Sequence, residues 1–338
     1  MKISIIGAGS WGTALSIFFG RRGFDVKIWC YERAVEEDIN ERRENRTYLK
    51  GFKIPEKVLA FTDLKDALKG AEIVIFATPS HVTRRVLVEA EPYLPEEAPL
   101  ISVTKGIEVE TLKLMSQVYE EIIEGVVERF AVISGPTFAR EVARGLPAAA
   151  TIASKNKKLA FHLQRTLSDP AFRLYESSDV IGVEIGGAVK NVIAIAAGIC
   201  DGLKLGLNAR AAIITRGLAE ITRLGVKMGA NPLTFLGLSG IGDLVLTCTG
   251  DLSRNRMVGI QLGEGKKLKD IVVSTPMIAE GIKTSIAVKA LSEREGVEMP
   301  ISQTVYSILH EGMEPEEGAR ALMARSLKEE LYGISLDR

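Results

Sequence analysis

The segment Gly7-Ala8-Gly9-Ser10-Trp11-Gly12 constrains the fold more than any other part of the sequence. It follows the β-branched run Ile3-Ser4-Ile5-Ile6 and continues into Thr13-Ala14-Leu15, so a G-x-G-x-x-G spacing falls where a strand turns into a helix. In that context each glycine has a separate duty. Gly7 permits the tight turn, Gly9 lets a pyrophosphate approach the backbone, and Gly12 lets the helix pack on the strand, with the phosphates meeting the helix N-terminus.

The pattern that follows agrees with such a start. Short apolar runs predict strands near 2–6, 24–29, 71–77, 99–103, 130–134, 148–153 and 171–175, the signature of a parallel sheet covered by helices. Amphipathic stretches predict helices over Ala14–Arg22, Glu32–Glu44, Asp63–Leu68, Val82–Ala90, Leu112–Glu124, Phe138–Arg144 and Lys157–Leu167, with Thr62 and Thr111 as candidate caps. After Asp179 the strand runs stop. Ala/Leu/Gly-rich segments with helical spacing take over at 180–199, 208–228 and 276–291, and residues 240–275 read as loops with short helices. Two domains are expected, 1–180 and 181–338, with a cleft at the boundary.

Composition narrows the function classes. Lys plus Arg and Asp plus Glu both number 43, so no global field steers the chain to nucleic acid or an anionic membrane. Cys30, Cys200 and Cys248 form no C-x-x-C pair, and His81, His162 and His310 lie far apart, so neither a disulfide framework nor a metal site is expected. The N-terminus lacks the pattern of a signal peptide, and no apolar run is expected to span a bilayer, which suits a cytoplasmic protein.

Several further positions bear on chemistry. About 20 residues beyond Gly12 comes Tyr31-Glu32-Arg33, where an acid would hydrogen-bond the adenosine ribose. Glu32 favours NAD, while Arg33 could accept the extra phosphate of NADP, so both cofactors stay open. The third, fourth and fifth strands end in Thr78-Pro79-Ser80-His81, Val103-Thr104-Lys105-Gly106 and Ser134-Gly135-Pro136-Thr137-Phe138-Ala139, at the carboxyl edge where open α/β sheets bind ligands. Lys190 is the only charge between Ile185 and Cys200, on a helix otherwise apolar or small all round. Its ammonium must either snorkel out or find partners in a cavity, and burial lowers a lysine pKa toward the range of a general acid or base. Asn191 beside it could orient the same group. In the loop-rich region, either arginine of the run Ser253-Arg254-Asn255-Arg256 could clamp a phosphate, with Ser253 and Asn255 completing a small anion site, while Asp243 could hydrogen-bond a hydroxyl or hold the catalytic ammonium. Read from spacing alone, surface ion pairs explain these residues almost as well.

Taken together, G-A-G-S-W-G-T-A-L, P-S-H, T-K-G, S-G-P-T-F-A, G-G-A-V-K-N-V, N-A-R-A-A-I-I-T-R-G, G-D-L-V-L-T-C and S-R-N-R resemble the bacterial type of NAD(P)-dependent glycerol-3-phosphate dehydrogenase, in order along most of the chain. The resemblance implies a Rossmann-like doubly wound sheet followed by an all-α domain. It also implies hydride exchange between NAD or NADP and the dihydroxyacetone phosphate/sn-glycerol 3-phosphate pair, for phospholipid synthesis.

Carried over by motif, Lys190 would be the proton donor and acceptor, and Lys105 a second lysine bridging cofactor and substrate. Gly135 and Thr137 would line the substrate, with Ala139 at the cofactor. Asp243, Ser253, Arg254 and Asn255 would hold the substrate, Arg254 also reaching the cofactor, and Ile278 and Glu280 would make a late cofactor contact. Ser10 and Trp11 would fall on the pyrophosphate loop. Tyr31 stands where the family often has His or Arg near the adenosine ribose. Alternatives are another two-domain dehydrogenase of the hydroxyacid or 6-phosphogluconate type, or a non-catalytic NAD-sensing module. A homodimer is compatible with the Leu- and Ala-rich second half.

Overall fold

A computed structural model describes residues 1–274 and 279–334. Contacts divide the chain into two compact units, Met1–Thr104 with Met115–Val180, and Lys105–Leu114 with Ile181–Arg338.

The first unit is built on one eight-stranded sheet: β1 Lys2–Ile6, β2 Asp25–Trp29, β3 Val58–Phe61, β4 Ile73–Phe76, β5 Leu100–Ser102, β6 Phe130–Ser134, β7 Ala148–Ala153 and β8 Phe172–Ser177. The strand order is β3-β2-β1-β4-β5-β6-β7-β8, and every pairing is parallel except β6 with β7, which is antiparallel. Its helices are α1 Ser10–Arg21, α2 Arg33–Arg42, α3 Leu64–Leu68, α4 Ser80–Ala90, α5 Met115–Ile122, α6 Ala139–Arg144 and α7 Lys157–Leu167. All four residues of β4, Ile-Val-Ile-Phe, are buried, as a strand covered on both faces requires. The order in which strands are added reverses between β1 and β4, which puts the crevice that such sheets use for ligands beside the glycine turn.

The fold of this unit follows the expected class, with three local differences. β3 was absent from the expected strands: it has four residues and lies at the sheet edge, with Val58 and Ala60 buried and Leu59 exposed, too short for its alternation to stand out. Asp63, not Thr62, caps α3, its carboxylate accepting from the Asp66 N–H at 3.0 Å. The helix expected from Leu112 begins at Met115, because Leu112 has φ +58° and Ile107 bridges to Leu114, so residues 105–114 form a loop that packs with the second unit.

Among the described residues the second unit is helical: α8 Val180–Gly202, α9 Leu207–Lys227, α10 Asp243–Thr249, α11 Arg254–Gly263, α12 Leu268–Ser274, α13 Glu280–Glu295, α14 Pro300–Tyr306 and α15 Pro315–Met323. The expected loops of 240–275 are therefore more helical than their glycine content suggested. Helix α8 has the length and apolarity of a membrane span, contrary to the sequence expectation, and 94% of its most apolar window is buried inside the protein. It is a core helix, and Val189, Val192, Ile193, Ile195 and their neighbours make up the centre of that core.

Two pairs of glycines let α8 and α11 touch backbone to backbone. A methyl on Gly198 would lie 2.1 Å from the Arg256 carbonyl oxygen, and one on Gly259 would lie 2.1 Å from that of Ile195. Gly202 and Gly263 repeat the contact one turn on. No larger side chain fits this seam, so it sets the register of α11 against α8.

Candidate active site

The seam fixes where the polar residues at its open end meet. Asn255, on the first turn of α11, donates through Nδ2 to Asn191 Oδ1 on α8 at 2.9 Å. Its Oδ1 accepts the Gly281 N–H at 2.9 Å, and Asn191 Nδ2 donates in turn to the Lys105 carbonyl at 3.5 Å. The two amides thus tie together the 105–114 loop and helices α8, α11 and α13.

A second close approach places the acid. The chain makes a π-helical turn over Leu238–Gly242 before α10, and a methyl on Gly186 of α8 would lie 2.4 Å from the Ser239 carbonyl oxygen. Lys190 lies four residues beyond Gly186, on the same face of α8. Asp243 opens α10. Its Oδ1 accepts from Lys190 Nζ at 2.5 Å and its Oδ2 from Lys105 Nζ at 2.8 Å, so one carboxylate holds two ammonium groups. Lys190 also donates to Thr247 Oγ1 at 2.7 Å. Thr247 is one helical turn after Asp243 and completes the ring of partners by donating to the Asp243 carbonyl at 2.6 Å.

This arrangement resolves the choice left by the sequence. Lys190 is 5% exposed and Asp243 1%, so the ammonium does not snorkel to water. Desolvation, with the like charge of Lys105, outweighs the attraction of Asp243 and lowers the Lys190 pKa from the ordinary 10.5 to about 8. A lysine with that pKa changes charge near neutral pH, as a proton donor and acceptor must.

Beside the pair, Ser253 caps α11, its hydroxyl accepting from the Arg256 N–H at 3.2 Å. Arg254 is the exposed first residue of α11, and the Glu280 carboxylate at the start of α13 acts on its guanidinium. Arg256, the other candidate clamp, is committed elsewhere: it pairs with Asp201 at 2.8 Å and Asp251 at 3.0 Å. Ile278 lies outside the described residues.

In the first unit the glycine turn has the geometry its spacing predicts. Gly7 has φ +116°, and a methyl on Gly12 would come within 1.9 Å of the Gly7 carbonyl oxygen. A methyl on Gly9, by contrast, would meet nothing within 4 Å, and no side chain caps α1. The turn thus presents free space in front of an uncapped helix N-terminus, which fits a pyrophosphate. Ser10 Oγ donates to the Tyr48 carbonyl at 2.7 Å, and Trp11 packs against Phe172 with ring centroids 6.4 Å apart.

At the end of β2, Tyr31 is 70% exposed with the Arg85 guanidinium 5.7 Å from its ring centre. Glu32 accepts from the Tyr48 hydroxyl at 2.6 Å, and Arg33 pairs with Glu37 at 3.3 Å. On the β6 side, a methyl on Gly135 would fall 2.7 Å from the Ala150 Cα, Thr137 Oγ1 donates to the Gly135 carbonyl at 3.2 Å, and Ala139 opens α6. Two supporting residues escaped the sequence reading. Thr247 was marked only by its i+4 spacing from Asp243, and Asn45, beneath the glycine turn, was marked by nothing.

Comparison with known proteins gives a consistent result. The sequence model for the NAD-dependent glycerol-3-phosphate dehydrogenase N-terminus matches residues 2–160, and that for the C-terminus of the same enzymes matches residues 179–320. Glycerol-3-phosphate dehydrogenase [NAD(P)+] of Myxococcus xanthus is 52% identical over 335 residues, 99% of this chain and 100% of that protein. Its counterpart from Syntrophobacter fumaroxidans is 51% identical over 97% of each chain. The crystal structure of glycerol-3-phosphate dehydrogenase from Coxiella burnetii superposes with a TM-score of 0.92 at 40% identity, over 96% of this chain and 99% of that one.

Proposed function

Because the chain belongs to the NAD-dependent glycerol-3-phosphate dehydrogenase family, we propose that it is the oxidoreductase that interconverts dihydroxyacetone phosphate and sn-glycerol 3-phosphate with NAD(P)H. The observation that carries the mechanism is the Lys105–Asp243–Lys190 cluster, two lysines on one buried carboxylate.

The glycine turn, with Gly7, Gly9, Ser10, Trp11 and Gly12, would hold the pyrophosphate of the cofactor, and Tyr31, Glu32 and Arg33 its adenosine end. When bound, the nicotinamide supplies the hydride that reaches C2 of dihydroxyacetone phosphate. Lys190 gives its proton from Nζ to the oxygen on C2 as negative charge develops there, and takes it back in the reverse direction. Lys105 adds a second positive charge toward that oxygen, and Asp243 keeps both side chains aimed at one point, so little reorganisation is left for the reacting state. Arg254, Asn255 and Ser253 receive the substrate phosphate, a remote anchor whose binding energy orients the carbonyl. By the motifs the chain shares with the family, Gly135 and Thr137 would line the substrate, and Ala139, Arg254, Ile278 and Glu280 would meet the cofactor.

Glu32, fixed by Tyr48, suits a ribose hydroxyl better than a phosphate, which favours NADH over NADPH. The three unpaired, buried cysteines suit a reducing cytoplasm, where the product would supply the phospholipid backbone. A non-catalytic cofactor sensor would have no use for two lysines on one buried carboxylate. The test is the oxidation of NADH and of NADPH by purified protein, first with dihydroxyacetone phosphate and then with 2-keto acids. Turnover confined to dihydroxyacetone phosphate is expected, with the higher kcat/KM for NADH; turnover confined to 2-keto acids would overturn the substrate assignment.

A further inference from the structure

The carboxamide of Asn45 is wholly buried beneath the glycine turn and spends each of its bonds on it or on the strap beside it. Nδ2 donates to the Ala8 carbonyl at 2.8 Å and to Thr13 Oγ1 at 2.8 Å, and Oδ1 accepts the Tyr48 N–H at 3.0 Å. Thr13 Oγ1 itself donates to the Ala8 carbonyl at 3.2 Å. The strap is held firmly from its other side. Arg46 pairs with buried Asp38 at 2.8 Å, Arg43 donates to the Val58 carbonyl at 2.8 Å, and Asn45 bridges to Leu49.

Peptide geometry turns this anchor into a directional device. The Ala8 carbonyl and the Gly9 N–H belong to one trans peptide plane and point in opposite directions. Two donors that hold the carbonyl therefore aim the Gly9 N–H away from Asn45, at a residue where an added methyl would meet nothing within 4 Å. The same strap reaches the adenosine end, because Tyr48 accepts from Ser10 through its carbonyl and donates to Glu32 through its hydroxyl.

We propose that Asn45 is a positioning residue for the cofactor: by holding the Ala8 carbonyl it fixes the Ala8–Gly9 peptide with its N–H toward the pyrophosphate. Glycine at position 9 makes the opposite peptide orientation sterically accessible, so the turn needs an external hold. Asn45 acts through the backbone and touches neither substrate nor cofactor.

The inference rests on the cofactor assignment above, and the two fail differently. Wild-type protein that does not bind NADH refutes the assignment. The near-isosteric Asn45→Asp keeps the acceptor for the Tyr48 N–H and removes the donor to the Ala8 carbonyl. It is expected to melt cooperatively, to bind NADH and ADP-ribose at least tenfold more weakly, to bind adenosine as wild type does, and to keep kcat within about twofold at saturating NADH. Unchanged NADH and ADP-ribose affinity, or an equal loss for adenosine, overturns the role of Asn45. Thr13→Val, which keeps shape and removes the second donor to Ala8, decides the matter if Asn45→Asp does not fold: ADP-ribose affinity is expected to fall severalfold, and an unchanged affinity overturns the proposal.

Discussion

Replacing Asp243 by Asn isolates the electrostatic part of the site, because the volume hardly changes while the charge between the two lysines disappears. The carboxylate lies 2.5 Å from Lys190 Nζ and 2.8 Å from Lys105 Nζ. Coulomb's law at an effective dielectric of about 20 gives about 7 kcal/mol for unit charges at that shorter distance. The carboxylate charge is spread over two oxygens that face two cations, so about 3 kcal/mol of hold on Lys190 is a working figure. At about 1.4 kcal/mol per pKa unit this is a fall of about 2 units, from about 8 to about 6. At about pH 7.5 the protonated fraction of Lys190 would then drop from about three-quarters to about 3%, a loss near 25-fold before any effect on substrate position. The assay is the initial rate of NADH oxidation with dihydroxyacetone phosphate, measured across pH beside the melting curve. The expected result is a folded Asp243→Asn protein at least about 25-fold slower at this pH, with its descending limb moved to lower pH. A folded variant within a few-fold of wild type, with its limb still near the wild-type position, would refute the idea that Asp243 sets the charge on Lys190.

Three other outcomes follow from the same geometry. Lys190 is an ammonium below about 8 and an amine above it, so kcat/KM for reduction of dihydroxyacetone phosphate should fall as pH rises through about 8. Oxidation of glycerol 3-phosphate should rise over the same interval, and pH profiles of the two directions read both limbs. Gly9→Ala should leave the melting temperature unchanged and weaken NADH binding in a fluorescence titration, because only bound pyrophosphate would meet the new methyl. Gly259→Ala should lower the unfolding free energy by about 1–3 kcal/mol in a denaturant titration, since its methyl collides with the backbone of α8.

How much of this was legible in advance depended on the range of the interaction. The glycine turn was readable because its demands are local: Gly7 and Gly12 sit in contact across five residues, and the steric rule acts within one strand–turn–helix. Lys190 was readable because a lone charge on an apolar helix breaks a short-range pattern. Asp243 was readable as one group that could hold that ammonium, but its sharing between Lys190 and Lys105 was not, since it lies 53 residues from one and 138 from the other, with no periodicity linking them. The 105–114 loop was misread as a helix start because Thr111 resembles a cap, whereas the chain is turned by Leu112 at positive φ and closed by the Ile107–Leu114 bridge. By spacing alone Arg254 and Arg256 were indistinguishable, and it was the family resemblance that singled out Arg254. Only the tertiary positions of Asp201 and Asp251 commit Arg256 to structural ion pairs. Asn45 gave no signal, because a buried carboxamide under a turn looks like any polar residue between charged neighbours.

The most direct test of the account is the turnover of Lys190→Ala with saturating NADH and dihydroxyacetone phosphate, beside its affinity for NADH. Turnover is expected to fall by about 10²–10⁴-fold while NADH binds as tightly as to wild type. A folded Lys190→Ala protein that turns over within tenfold of wild type would contradict it.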